Sequence, residues 1–249
     1  MDKISATIIT YNEELNIRDA LESVAWADEI VVVDSHSQDI TLEICKEYTD
    51  RIIQHDWSGH IRQKNFAIDQ ASFPWILSID ADERISPELK EEIEQLRKIG
   101  MSMDGYFIPR KAFYLGRWIR HSGWYPDYKV RLFRKEKGRW SGTNPHDSVK
   151  LEGEAGYLKG VIEHYSYRDL AHNLDVINRY STIGAEELHK LGKRTRWHHL
   201  VLNPPLTFLK KYLLKQGYRD GIPGFFIAAL TAYSAFCKYA KLWEMRDER

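Results

Sequence analysis

Asp80-Ala81-Asp82 follows the apolar run Trp75-Ile76-Leu77-Ser78-Ile79. Two carboxylates two residues apart, just past a buried strand, can hold a hard divalent cation. Such a cation takes oxygen ligands and often keeps diphosphate oxygens in its shell. Placed there, it would neutralise a leaving nucleoside diphosphate. The same string also reads as a solvated acidic loop before a helix, capped by Asp82 or Ser86. Position favours the first reading, because two other apolar runs also end in polar clusters: Ala6–Ile9 in Thr10-Tyr11-Asn12-Glu13, and Glu29–Val33 in Asp34-Ser35.

Those clusters need elements to bring them together. Apolar patterning predicts strands at 6–9, 29–33, 51–54 and 75–79. It predicts helices starting at Asn12 or Glu13, over 40–48, over 61–70 and from Pro87 onward. Strands alternating with helices imply a mostly parallel sheet covered on both faces. Ligands bind such sheets at the carboxyl ends of the strands, so the three clusters should share one crevice. After about residue 104 the pattern changes. Strand-like pieces at 106–108, 129–133 and 158–162 are separated by aromatic and Gly-rich loops. A long amphipathic helix is expected over 169–190. Further helical segments from 200 to 243 should break at Pro204-Pro205 and at Ile222-Pro223-Gly224.

Composition bounds the rest. The chain has 249 residues, 43% apolar and 29% charged, which suits one large domain or one domain with an appendix. Its formal net charge of zero names no polyanion, and no nucleic-acid partner is expected. Two distant cysteines, Cys45 and Cys237, make neither a disulfide framework nor a zinc spacing. No basic-then-apolar leader precedes the first strand, so a cytoplasmic location is expected. The run Ile222–Cys237 is shorter than the roughly 20 residues that span a bilayer. Charge is uneven, however. From Leu188 to Arg219 there are eight Lys and Arg and no acid. Lys210, Lys211 and Lys215 flank Phe208, Leu209, Tyr212, Leu213 and Leu214, which suits an interfacial helix on an anionic leaflet. A helical pair packed on the catalytic domain with a basic outer face reads equally from the same residues.

Four motifs together carry a resemblance. Thr10-Tyr11-Asn12-Glu13-Glu14, Val31-Val32-Val33-Asp34-Ser35, Arg62-Gln63-Lys64-Asn65 and the Trp75–Glu83 segment are similar, in order and spacing, to glycosyltransferase family 2, the inverting family of the GT-A fold. The Phe113–Asp127 segment, Arg131-Leu132-Phe133-Arg134, Asn144-Pro145-His146-Asp147 and Glu163-His164-Tyr165 resemble bacterial lipopolysaccharide core glycosyltransferases, nearest the heptose β-1,4-glucosyltransferase type. One departure is Asp147, where His-Glu would be expected after Pro145.

The resemblance implies an α/β GT-A domain over 1–168, with a nucleotide-sugar half (1–100) and an acceptor half (101–168), followed by a helical region over 169–249. It implies a UDP-sugar donor, glucose first among hexoses, and a lipid-linked glycan acceptor at an anionic membrane surface. Thr10, Tyr11, Asn12, Glu13, Asp34 and Ser35 would line the nucleoside, with Asp34 accepting from the base. Arg62, Lys64 and Asn65 would face the diphosphate beside Asp80 and Ala81. Asp82 with Asp80 would anchor Mg²⁺ or Mn²⁺, with His164 a further candidate ligand. Inverting transfer needs a base that takes the acceptor hydroxyl proton. Asp127 is the choice, with Glu83 and Asp147 as rivals. Trp124, Tyr125 and His146 would meet the acceptor, although Trp124 and Tyr125 could equally pack in a small second core. A nucleotidyltransferase or a non-catalytic membrane-recruited module stays as an alternative. The first needs a Gly-rich loop after the opening strand, and no glycine precedes Gly59.

Overall fold

The computed structural model describes residues 2–143 and 146–245, without the side chains of Thr143 and His146. The chain divides into two compact units: residues up to Lys111 with Asp127–His164, and Ala112–Pro126 with Tyr165 onward. This division is not a single cut near residue 168.

In the first unit, β1 (Ile4–Thr10), α1 (Ile17–Val24), β2 (Glu29–Asp34), α2 (Thr41–Lys46), β3 (Ile52–Gln54), α3 (His60–Gln70) and β4 (Trp75–Asp80) alternate as the apolar pattern requires. β5 (Glu83–Ile85) and α4 (Pro87–Ile99) follow, and then β6 (Gly105–Tyr114), which runs on into the second unit. β7 (Arg117–Trp118) belongs to the second unit, while β8 (Asp127–Arg134), β9 (Gly138–Thr143), β10 (His146–Leu151), β11 (Ala155–Tyr157) and β12 (Ile162–His164) complete the first. The sheet order is β3-β2-β1-β4-β8-β6-β12-β5, with β9 and β10 a separate antiparallel pair. β3, β2, β1 and β4 are mutually parallel, and antiparallel β8 continues the sheet from β4 to β6.

Strand alternation sorts the core. Ile30 and Val32 of β2, with Trp75, Leu77 and Ile79 of β4, pack with Ile17 and Leu21 of α1 and Leu89 of α4. Val31, Val33 and Ile76 join Ala67 and Ile68 of α3 in a second cluster. A strand buried on both faces reads as an unbroken apolar run, which is why Val31-Val32-Val33 was visible in the sequence. Each such side chain contributes about 1.5–3 kcal/mol of burial.

Local chemistry corrects several boundaries. Residues 11–16 form a loop rather than a helix start, and Asn16 is the N-cap of α1. The loop is pinned across the chain. The Asn12 amide donates to Ser37 Oγ, the Glu13 amide donates to Thr41 Oγ1, and Asn12 Oδ1 accepts from the Gln38 amide. Asn12 takes a φ of +54°, which asparagine tolerates better than most residues. Ser86 caps α4 by accepting from the Leu89 amide, while β5 separates Asp82 from that helix.

The second unit holds α5 (Leu170–Lys190), α6 (Trp197–Val201), α7 (Asn203–Leu209), a π-turn (Lys210–Leu214), a 3₁₀ turn (Gly217–Asp220) and α8 (Gly221–Glu244). The helical segments break just before Pro204-Pro205 and Pro223, and these prolines sit in the first turns of α7 and α8, where an amide needs no intrahelical partner. Lys241 of α8 donates to Asn178, Ser181 and Thr182 of α5, stapling the two helices. Asp220, 1% exposed, accepts from the Arg120 and His121 amides and pairs with His121 Nδ1.

Gly160 sits against the α4 backbone. A Cβ there would stand 2.3 Å from Leu89 Cα and 2.5 Å from Leu89 N, with no side chain free to yield. Gly160→Ala should cost about 1–3 kcal/mol. Thermal unfolding should show this as a Tm loss of about 2–4 °C per kcal/mol, and an unchanged Tm would contradict the packing.

Candidate active site

The sheet places the three polar clusters in register. Thr10 pairs with Asp34 across β1 and β2, and Ile9 pairs with Asp80 across β1 and β4. The chain runs outward through β2 and β3 and returns to β4 on the other side of β1. This is the reversal point at which parallel sheets open a crevice. Asp34 and Asp80 therefore flank Thr10 at about two strand spacings of ~4.8 Å from each other.

Asp80-Ala81-Asp82 forms the turn from β4 into β5, closed by Glu83 Oε2 accepting from the Asp80 amide at 3.0 Å. Glu83 is fully buried and works as an anchor. Its Oε1 meets Arg131 Nη2 at 2.7 Å and Arg110 Nη1 at 3.3 Å. Arg131, on β8, also reaches Asp80 Oδ2 at 3.2 Å and donates to the Ser78 carbonyl. Lys64 of α3 meets Asp80 Oδ1 at 2.9 Å and Asp147 Oδ2 at 3.1 Å. Burial alone would raise the Asp80 pKa, but the Lys64 and Arg131 charges overcome this and hold it well below the usual carboxylate range. Trp140 of β9 lies under both cations, with Lys64 Nζ 4.0 Å and the Arg131 guanidinium 5.0 Å from its ring centre.

Asp82 takes a different partner, His164 Nε2 at 3.2 Å, brought close because β12 pairs with β5. Burial opposes ionisation of Asp82, yet the His164 interaction lowers its pKa below the ordinary value. Among the described residues no group of three or more His, Cys, Asp or Glu forms a metal-binding cluster. The set Asp80, Asp82 and His164 is not assembled, because both Asp80 oxygens are taken by protein cations. Asp82 offers the carboxylate oxygen that a hard divalent ion takes, with the His164 imidazole beside it as a second, softer donor. Two donors about 2.1 Å from an octahedral ion and at right angles to each other lie about 3 Å apart. Such an ion is commonly held by one or two protein ligands plus phosphate oxygens and water.

Asp127 opens β8 with its side chain 33% exposed. Oδ2 meets Arg110 Nη2 at 2.9 Å and Oδ1 meets Lys129 Nζ at 3.3 Å. Arg110 bridges it to Glu83, so Asp127 and the Asp80–Asp82 turn hang on one buried ion-pair network. Of the rival bases, Glu83 is consumed by two arginines, and Asp147 faces Lys64.

The remaining expected donor residues separate. Asp34 is fully buried and accepts from the Ser37 amide and hydroxyl. Ser35 Oγ accepts from Gln63. Thr10 has a buried hydroxyl without a hydrogen-bond partner, and Tyr11 beside it is exposed. Glu13 accepts from Asn16, and Ala81 is buried in the turn. Arg62 is exposed on α3. The Asn65 amide is spent at both ends on the Trp140 backbone, which ties β9 to α3. In the second unit Trp124 packs among Tyr114, Tyr167 and Ile227, the second-core reading of that residue, and Tyr125 is half-buried. Asn144 and Pro145 lie outside the described residues, as does the His146 side chain.

Sequence reasoning assigned no role to Arg110, Arg131, Gln63 or Trp140. Arg131 stood in the motif that carried the resemblance. Gln63 stood in another of those motifs, while Arg110 and Trp140 had no local signal, because their partners lie far along the chain.

Removing Glu83 should be costly. Glu83→Gln leaves the buried Arg131 guanidinium and the partly buried Arg110 guanidinium short of a counter-charge, and breaking such a pair costs about 3–5 kcal/mol. Arg139→Ala, which breaks an exposed pair with Asp69, should cost no more than about 1 kcal/mol. Urea unfolding compares the two, and equal losses would contradict the anchoring role of Glu83.

Comparison with known proteins agrees with this architecture. The model of the family described as "Glycosyl transferase family 2" matches residues 5–166. The chain is 32% identical over 248 residues to the lipopolysaccharide core biosynthesis glycosyltransferase LpsC of Rhizobium meliloti (strain 1021), covering 97% of this chain and 92% of that protein. It is also 32% identical over 258 residues to the uncharacterized glycosyltransferase RT0209 of Rickettsia typhi (strain ATCC VR-144 / Wilmington), covering 98% and 88%. Among solved structures, S. aureus TarS 1-349 in complex with UDP-GlcNAc superposes with a TM-score of 0.50 at 18% identity, covering 98% of this chain and 91% of that one, a likeness of GT-A fold. From its parallel switch point, its acidic turn and this match over most of its length, the chain belongs to glycosyl transferase family 2 and is a glycosyltransferase.

Proposed function

We propose that the enzyme moves a hexose, glucose first, from a UDP-sugar to a lipopolysaccharide-core or related glycolipid acceptor, with inversion at the anomeric carbon. The observation that carries this reading is the shared scaffold. The Asp80–Asp82 turn on the donor side and Asp127 on the acceptor side are braced by the same Glu83–Arg110–Arg131 network. The acceptor class follows the relative whose printed name is a lipopolysaccharide core biosynthesis glycosyltransferase. The nucleotide follows TarS, solved with UDP-GlcNAc.

In this reading the nucleoside lies over the β1–β2 ends, with Tyr11 exposed for stacking and the Thr10 hydroxyl free to bond. Lys64 and Arg131 face the diphosphate. Both are preorganised cations that share Asp80, with Asp147 and Glu83 as their further partners, so an incoming phosphate shares charges already fixed in place. Asp82 and His164 would hold Mg²⁺ or Mn²⁺, which when bound offsets the charge of the departing diphosphate. Asp127 takes the acceptor hydroxyl proton, with Arg110 orienting the carboxylate. The work is done in the cytoplasm, peripheral to the inner face of the cytoplasmic membrane. No observation favours nucleotide-sugar synthesis, since the loop after β1 is Thr10-Tyr11-Asn12-Glu13-Glu14 without glycine.

Asp127→Asn should keep UDP affinity while transfer falls by about 10²–10⁴-fold. Titration calorimetry with UDP and a transfer assay read the two separately, and a fully active variant overturns the base assignment. Asp82→Ala should remove Mn²⁺-dependent thermal stabilisation by UDP and abolish turnover without unfolding the chain. Mn²⁺-dependent stabilisation that survives in this variant would overturn the metal assignment.

A further inference from the structure

The helical segment before α8 has its polarity inverted. Along α6, α7 and the π-turn, the solvent-facing positions recur as pairs at 201–202, 205–206, 209–210 and 213–214. An ordinary surface helix is charged at such positions. Here they hold Leu202, Leu206, Leu209, Leu213 and Leu214 together with Val201 and Pro205, and Lys210 is the one charge. Leu206 is 60% exposed and Leu214 is 79% exposed. The inward positions are the more polar ones, and they include Asn203, Thr207, Lys211 and Tyr212.

Backbone geometry bears on how the exposed residues line up. A four-residue repeat drifts by about 40° per turn on an α-helix of 3.6 residues per turn. The π-turn at Lys210–Leu214 has a wider turn, which counters that drift, and Leu213 and Leu214 are exposed as Leu206 and Leu209 are. Beyond the turn Tyr218, Ile222 and Phe225 extend the apolar exposure to the start of α8. α8 packs against both α5 and α7 of the second unit, and by length and hydropathy it could also cross a bilayer.

Charge says what covers the stripe. Lys210, Lys211, Lys215 and Arg219 frame it, and no acid occurs from Leu188 to Arg219. Lys211 is half-buried, and burial together with Lys210 and Lys215 lowers its pKa, so the cluster as it stands carries a cost that an anion would relieve. A second copy would bring the same lysines face to face in a two-fold pairing. A polyanion in water would leave the leucines exposed. A surface that is apolar in depth and anionic at its rim satisfies both features, and an anionic bilayer is such a surface.

We propose that this leucine stripe and its lysine frame are the membrane-docking face of the enzyme, with the leucines entering the acyl boundary and Lys210, Lys215 and Arg219 meeting lipid phosphates. The proposal deepens the reading of a lipid-linked acceptor and rests on it for its purpose, though not for its geometry.

Co-sedimentation of the full chain with phosphatidylcholine vesicles, with and without about one third phosphatidylglycerol, tests it. Binding should require the anionic lipid and weaken in about 0.5 M salt. Leu209→Ser/Leu213→Ser and, separately, Lys210→Glu/Lys215→Glu should each reduce the bound fraction at least about tenfold. Both variants alter exposed positions, so their melting temperature and UDP affinity should match those of the unaltered chain. Four results would overturn the proposal: no binding to anionic vesicles, equal binding by the variants, lipid-free self-association abolished by the leucine variant, or resistance of membrane-bound protein to alkaline extraction. UDP binding without vesicle binding sinks the docking face alone. Vesicle binding without UDP binding sinks the donor reading alone.

Discussion

The ion pair between Arg131 and Glu83 is the contact on which the site depends. Both side chains are out of water, at 3% and 0% exposure. Neither charge could be buried alone, because an isolated buried ion loses its hydration without return. Together they hold three separate stretches of chain. Glu83 closes the turn after β4 through the Asp80 amide, Arg131 fastens that turn to β8, and Arg110 carries the connection to Asp127. An antiparallel strand is thereby locked beside the parallel half of the sheet, where the chain's connections leave a crevice.

The same network sets the electrostatics. Asp80 is neutralised by Lys64 and Arg131 while Asp82, two residues on, pairs with His164. Two carboxylates in one short turn thus have unlike surroundings. One braces a pair of cations, and the other pairs with a histidine. In the proposed reaction this division puts fixed protein cations and the metal ligands side by side, with no reorganisation required as charge develops on the leaving diphosphate.

The second unit follows a different rule. Its helices bury Asn173, Ser181 and Asp220 through specific hydrogen bonds while leaving leucines in solvent. Exposed single hydrophobics are ordinary, but a recurring series of them beside a cluster of lysine and arginine is not.

The sequence by itself determined the parallel half of the sheet and the ends of its strands. Apolar runs buried on both faces, and the polar residues that stop them, are local signals. That suffices to place Thr10, Asp34 and Asp80 at one edge, and the motif order around them identified the family. It also marked the lysine-rich helix, though not which side faces out. Tertiary structure alone decided what each polar group does. Lys64 meets Asp147 from 83 residues away, and Arg131 meets Asp80 from 51. Asn65, a donor-binding expectation, is spent on the Trp140 backbone instead. Glu83, a rival base on paper, became an anchor because two arginines from β6 and β8 converge on it. Pairing of buried charges depends on which strands become neighbours, and β8 joins β4 only after the chain has turned back on itself. No spacing in the sequence encodes that distance.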